Sequence, residues 1–227
     1  MDCKENTAAM IGYLQDNAQE LRKKIETTKA QWDSFLKKLE VQKDRGHKDY
    51  YEEQVWTFLI AAGFASTGVQ GIRKLAHILT GCTDLEIGEE DKIWLEALPY
   101  PPRYKEGNTN LDMALGRISP SELDEGETHS ETKGNGIKYG GDGGFICFCE
   151  MKWYSDISKD VTHDKHRNQL VRVIDNALMF EDEEDMLPER IFVTLVTPKV
   201  FKERKPKSRL YVYKFEEYAN ERAILED

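Results

Sequence analysis

No stretch of this sequence comes near the roughly 18 consecutive apolar residues of a membrane span, and its opening, Met1-Asp2-Cys3-Lys4-Glu5, lacks the apolar core of a signal peptide. That argues against a membrane-embedded or secreted protein and for a cytoplasmic one. Cysteine is scarce: Cys3, Cys82, Cys147 and Cys149 show no zinc-finger spacing, and the last two stand two apart in an apolar run. Free buried thiols are expected rather than a disulfide framework. Positive charge is short as well, with 32 Lys and Arg against 42 Asp and Glu and a net charge of −10. A chain so acidic lacks the overall basic footprint that phosphate binding usually exploits.

Local distribution matters more than the sum. Much of the acid lies in segments that read as loops, 84–91, 122–131 and 181–189, whereas residues 199–209 carry six basic residues against one Glu. At 227 residues, 39% hydrophobic and 33% charged, the chain can bury a substantial core. One domain with an appendage is the economical reading.

The appendage is residues 1–47. Ile11, Leu14, Ala18, Leu21, Ile25, Thr28, Trp32, Phe35 and Leu39 follow alternating spacings of three and four, the pattern of a heptad seam on one long amphipathic helix. Such a seam can dock on the domain or in a bundle, or pair with a second copy to give a homodimer. The domain proper is residues 48–227. It opens with a helix over 49–62 closed by Gly63, with Val55, Phe58, Leu59 and Ala62 as its buried stripe. A further helix is expected near 71–79. Residues 91–98 read equally as a short helix or a first strand before the break at Pro99-Tyr-Pro-Pro102.

The chain is organised around Gly144-Phe-Ile-Cys-Phe-Cys-Glu-Met-Lys-Trp153. Strand side chains alternate, so Ile146, Phe148, Glu150 and Lys152 share one face and Cys147, Cys149, Met151 and Trp153 the other. Apolar bulk on both faces predicts a central strand covered on both sides. An acid and an amine at the end of such a strand are costly to bury unless a metal, partner or ligand compensates. Upstream, 109–116 reads as a second strand, with Asp112 on the face of Ala114 and Gly116. Two carboxylates and an ammonium are enough for phosphodiester hydrolysis. Carboxylate oxygens suit Mg²⁺ or Mn²⁺, which neutralises phosphate charge and lowers the pKa of a bound water.

Asp112 followed by Glu150-x-Lys152 resembles the motif of the PD-(D/E)XK nuclease superfamily, also called restriction-endonuclease-like, although Leu111 stands where that family has its proline. The resemblance covers about residues 49–215. It implies an α/β fold with a mixed central sheet flanked by helices. It further implies that Asp112, Glu150 and the Met151 carbonyl bind Mg²⁺ or Mn²⁺ and that Lys152 assists the attacking water. Many members open with a helix spaced as Glu52, Val55, Phe58, Leu59, Gly63 and Phe64 are here. By that resemblance Glu52 points at the metal site, with Glu53 as its substitute; a solvated first helical turn explains Glu52 equally well. Asp142, in a glycine-rich turn eight residues before Glu150, is the rival for Asp112.

After Trp153 a helix is expected from Asp160 or Thr162 to about Phe180, with Leu170, Val173, Ile174, Ala177 and Leu178 inward. Some branches of the family carry a functional Gln here, which makes Gln169 and His166 candidates for contacting water or phosphate. A hydrogen-bonded helix face is the plain alternative for both. His163, Asp164 and His166 also form a compact cluster, but nothing completes a zinc site. Residues 119–144 read as one long connection, 190–197 as a strand filled on both faces, and 210–215 as a last strand. Lys199, Lys202, Arg204, Lys205 and Lys207 are the candidate phosphate contacts between them. Taken together these readings describe a metal-dependent nuclease acting on DNA, more readily endonucleolytic. The competing readings are a non-catalytic nucleic-acid-binding protein on the same scaffold and a coiled-coil assembly protein.

Overall fold

The computed structural model describes residues 3–45, 52–99, 110–121, 135–141, 144–153, 169–180 and 187–198. The chain begins with α1 (Cys3–Asp16), the one-turn α2 (Ala18–Leu21), β1 (Ile25–Glu26) and α3 (Lys29–Arg45). The single long helix expected from the heptads is therefore broken. The break is written at Thr28: its Oγ1 accepts from Gln31 N at 3.1 Å while Gln31 Oε1 accepts from Thr28 N at 3.0 Å. This reciprocal capping box starts a new helix where the heptad continues without interruption. The residues ahead of it are drawn into the sheet, with Ile25 paired to Ile93 in parallel and Ile93 N donating to Lys24 O at 2.8 Å.

The heptad positions do bury a seam, but against their own chain. Ile11, Leu14, Leu21, Ile25, Trp32, Phe35 and Leu39 are buried in one core with the next two helices, α4 (Glu53–Ala65) and α5 (Val69–Thr80), and one face of the sheet. Phe58 of α4 is the hub. It stacks on Phe35 with centroids 4.9 Å apart and meets Trp32 edge-on at 5.0 Å. α4 runs through Gly63 to Ala65, past the stop expected there, with Ser66 N donating to Ala62 O at 3.0 Å as the helical ladder continues. α5 then ends at Gly81, whose left-handed backbone (φ 73) closes the helix as a C-terminal glycine does.

The strands β2 (Ile93–Pro99), β3 (Leu111–Gly116), β4 (Ile118–Pro120), β5 (Asn135–Tyr139), β6 (Phe145–Met151) and β7 (Arg190–Val196) join β1 in a mixed seven-stranded sheet, and α6 (Gln169–Leu178) precedes β7. Its order is β4-β5-β2-β3-β6-β7, with β1 also on β2. β2 pairs with β3 and β3 with β6 antiparallel, whereas β6 and β7 are parallel and β2 and β5 are parallel. The segment 119–144, read from sequence as one connection, thus contains β5 and the end of β4. Its short, glycine-flanked strands carry too little apolar period to be seen. Residues 91–98 resolve as strand β2.

β6 is central, as its two apolar faces predict: every residue from Phe145 to Met151 is buried. Cys147 and Cys149, with Met113 and Leu115, face the helical core of α4 and α5; Ile146 and Phe148, with Ala114, face Val173 and Ala177 of α6. Gly116 ends β3 with φ 111, where a Cβ would lie 2.1 Å from Phe145 O, so only glycine fits the join between β3 and β6. On α6, Leu170, Val173 and Ala177 are buried as expected, but Leu178 is exposed. β7 is half-buried along its whole length. Among the described residues no helix is long and apolar enough to cross a membrane.

Candidate active site

Register brings the motif acids together. Met113 lies opposite Cys149 and Leu95 opposite Met113, so one step toward the strand end Glu96, Asp112 and Glu150 fall in a row across β2, β3 and β6. Asp112 Oδ2 accepts from Met151 N at 2.7 Å, which locks that carboxylate onto the turn-out of β6. Lys152 Nζ lies 2.8 Å from Glu150 Oε1 and 3.1 Å from Glu53 Oε1. Its backbone is held to β7 by a bond from Lys152 N to Val196 O of 2.9 Å. The Lys152 and Glu150 side chains are only 5% and 2% exposed.

Burial dominates the electrostatics. It pushes the Glu150 pKa up to about 7, with Asp112 adding repulsion and Lys152 opposing. Asp112 is raised to about 6 by burial, partly offset by the Met151 N–H and Lys152. For Lys152 burial acts downward, but Glu150 and Glu53 outweigh it and leave the pKa above its ordinary value. Lys152 is therefore a charged donor at neutral pH, not a proton acceptor.

The helical acid at the site is Glu53, not Glu52. Glu53 Oε2 also accepts from Trp153 N at 3.0 Å, so it fastens α4 to the end of β6 through both Lys152 and the next peptide. Glu52 is the residue before the helix, exposed, and 3.4 Å from Lys38 on α3. The helix starts at Glu53, four residues later than expected, so Glu52 has extended backbone and leaves the helical stripe while Glu53 reaches the site from the first turn.

Three more charged groups surround the site without having been singled out by sequence. Glu96, on β2, has a backbone φ of 50, rare for a side-chain-bearing residue in a strand. Burial raises its pKa to about 7, Asp112 adds to the rise, and hydrogen bonds from Gln54 and Asn110 and the charge of Lys38 act against it. The signal for Glu96 was present: a lone acid inside the apolar run Ile93–Pro99, the same pattern that marks Glu150. Lys38 donates to Gln54 Oε1 and so carries the N-terminal helices to the edge of the site. Arg172, on α6, has its pKa lowered by burial while the nearby Glu150 carboxylate opposes that shift. Arg172 and Gln169 are one turn apart on the same edge of α6, and the buried Gln169 Oε1 has no hydrogen-bond partner among the described residues.

His166, Lys199, Lys202, Arg204, Lys205 and Lys207, like the rival Asp142 and the cluster at His163 and Asp164, lie outside the described residues. Among the described residues, no three Asp, Glu, His or Cys side chains converge tightly enough to hold a metal ion by themselves. The donor set nevertheless fits Mg²⁺ or Mn²⁺, which binds one or two carboxylates and completes its shell with water. The half-buried Asp112 and the buried Glu150, both with raised pKa values, would be relieved by a cation, and the Gln169 Oε1, without a partner among the described residues, suits a donor such as bound water. Compared with protein-family models, curated proteins and solved structures, the chain matches none.

Proposed function

We propose that the chain is a divalent-metal-dependent nuclease that hydrolyses phosphodiester bonds in DNA, acting as an endonuclease on a restriction-endonuclease-like core. The observation that carries this reading is the meeting of Asp112, Glu150, Lys152 and Glu53 at one end of the sheet. The order of elements supports it: a helix bearing Glu53, a strand with Asp112, a strand ending in Glu150 and Lys152, a crossover helix and a parallel strand. Asp112, Glu150 and the Met151 carbonyl would hold Mg²⁺ or Mn²⁺, which when bound supplies charge neutralisation at the phosphate and a water of lowered pKa.

The chain's own residues do the rest. Glu53 holds the Lys152 ammonium in place. Lys152, staying protonated, donates hydrogen bonds that orient the attacking water and stabilise negative charge developing on the phosphate oxygens. The Met151 N–H keeps the Asp112 Oδ2 engaged and so fixes that carboxylate at the end of β6. Burial of Glu150 and Lys152 limits competing solvent and strengthens each of these interactions.

Cleavage of supercoiled and linear DNA in Mg²⁺ or Mn²⁺, beside folded Asp112→Ala and Lys152→Ala variants, tests the proposal. Nicking by the wild type and not by either variant is the expected result. An inert wild type that binds no Mn²⁺ by calorimetry refutes it and favours a non-catalytic role for the scaffold.

A further inference from the structure

The outer face of α5 carries Gln70, Arg73, Lys74 and His77, all exposed and spaced by three and four so that they share one side of the helix, while Ile72, Leu75 and Ala76 are buried on the other. Gly81 then turns the chain, and Cys82 N donates to Thr80 Oγ1 at 3.1 Å to fix the turn. The half-buried Cys82, the exposed Thr83 and the buried Leu85 come back beside the stripe. Between stripe and returning segment lies a cavity of about 240 Å³.

The cavity is lined with hydrogen-bond donors. Arg73 Nη1 donates to Gln70 Oε1 at 3.1 Å, which occupies the amide oxygen and leaves the Gln70 NH₂ as its other polar group. Arg73 Nη2 donates to Ile87 O at 3.1 Å, so the guanidinium is held between the helix and the returning segment. A guanidinium carries five N–H donors, and these two bonds orient Arg73 without exhausting it. Lys74 adds an ammonium, His77 a ring nitrogen and Thr83 a hydroxyl. Donors thus reach the cavity from the helix on one side and from Thr83 on the other, which suits a tetrahedral oxyanion better than a planar carboxylate. The volume lies below the roughly 300 Å³ at which sites for drug-sized ligands begin, so a small anion is the right size.

The place in the fold separates this cavity from the motif acids. Asp84, next to Thr83, pairs with Arg190 at 2.9 Å, and Arg190 lies opposite Phe145, at the other end of β6 from Glu150 and Lys152. We infer that the cavity is a binding site for a phosphate group, free or on a small monoester, held by Arg73, Lys74 and His77. The inference goes beyond the nuclease reading and does not depend on it.

Cys82 supplies the test. The full chain is alkylated with neutral iodoacetamide and the modified thiols are mapped by mass spectrometry; Cys82 reports occupancy of the cavity, and the buried Cys147 and Cys149 report any general change in the fold. Inorganic phosphate and ribose 5-phosphate are each titrated against sodium chloride at matched ionic strength. At least one of them is expected to slow alkylation of Cys82 saturably and to leave Cys147 and Cys149 unchanged. Tighter protection by ribose 5-phosphate assigns the cavity to a monoester, and tighter protection by inorganic phosphate to the free ion; both uphold the site. Lys74→Gln and His77→Gln, at exposed positions, should each raise the concentration needed by about tenfold, in line with one lost charge-assisted hydrogen bond. Alkylation of Cys82 that neither anion slows, slowing matched by chloride, or equal slowing of all three thiols overturns the site, and none of these comparisons needs a variant to fold. Protection by an oligothymidylate without terminal phosphate, and by neither small anion, also overturns it and makes the cavity a contact for a nucleic-acid backbone.

Discussion

Replacing Glu96 by Gln tests the electrostatics of the site without asking for activity. Glu96 sits beside Asp112 in the sheet, and burial raises its pKa from 4.5 to about 7. An acid whose folded pKa lies above its unfolded value binds its proton more tightly when folded. Stability therefore falls as pH rises from the unfolded value to the folded one, and is flat above it. A rise of that size corresponds to about 3 kcal/mol of destabilisation from the ionised form at pH 8, and to under about 1 kcal/mol at pH 5. Gln copies the protonated shape and can still accept from Gln54 or Asn110. Glu96→Gln should thus raise stability at pH 8 by about 2 to 3 kcal/mol more than at pH 5, the figure being an upper value for a group coupled to Asp112. Urea unfolding in the presence of a chelator, at both pH values, measures this directly. A change in stability that is the same at pH 5 and pH 8, or a loss at pH 8, refutes the placement of Glu96 as a half-buried, strained acid beside Asp112.

Two further outcomes follow from packing and pairing. Glu53→Gln removes the partner that Lys152 shares with Trp153 N, and should cost about 1 to 3 kcal/mol and most of any nuclease activity, whereas Glu52→Gln, at an exposed residue paired with Lys38, should cost under about 1 kcal/mol and leave turnover intact; equal effects in thermal melts and cleavage assays would restore Glu52 to the site. Phe58→Ala should cost about 3 to 5 kcal/mol, since Phe58 is fully buried between Phe35 and Trp32; a truncated chain lacking the N-terminal helices should then unfold readily, and a small loss by denaturant titration would mean those helices do not dock on the domain.

The sequence by itself determined the centre of the molecule. Seven consecutive buried residues in β6, the sixth an acid and a lysine following the last, mark a strand covered on both faces, because apolar bulk at both parities has no other extended solution. Asp112 was legible for the same reason, as an acid on the small-residue face of a second apolar strand. Local chemistry was legible only in part. Heptad spacing announced a buried seam but hid the capping box at Thr28 and Gln31, since a helix start of two polar side chains leaves the apolar period untouched.

What the tertiary structure alone decided is which charges meet. Whether Glu52 or Glu53 reaches Lys152 depends on where α4 begins: Glu52 is the extended residue before the helix, so its side chain leaves the helical stripe, whereas Glu53 is the first helical residue and meets Lys152. Glu96 joins Asp112 and Glu150 because β2 pairs with β3 in one register, and Lys38 and Arg172 arrive from helices far away in sequence. The N-terminal seam could serve a partner or the chain itself, and only the packing of Trp32 and Phe35 on Phe58 settles it in favour of the chain. Periodicity reports which residues leave water. It carries no information on which distant residues they leave it with, and a site made of opposing charges is defined by that second choice.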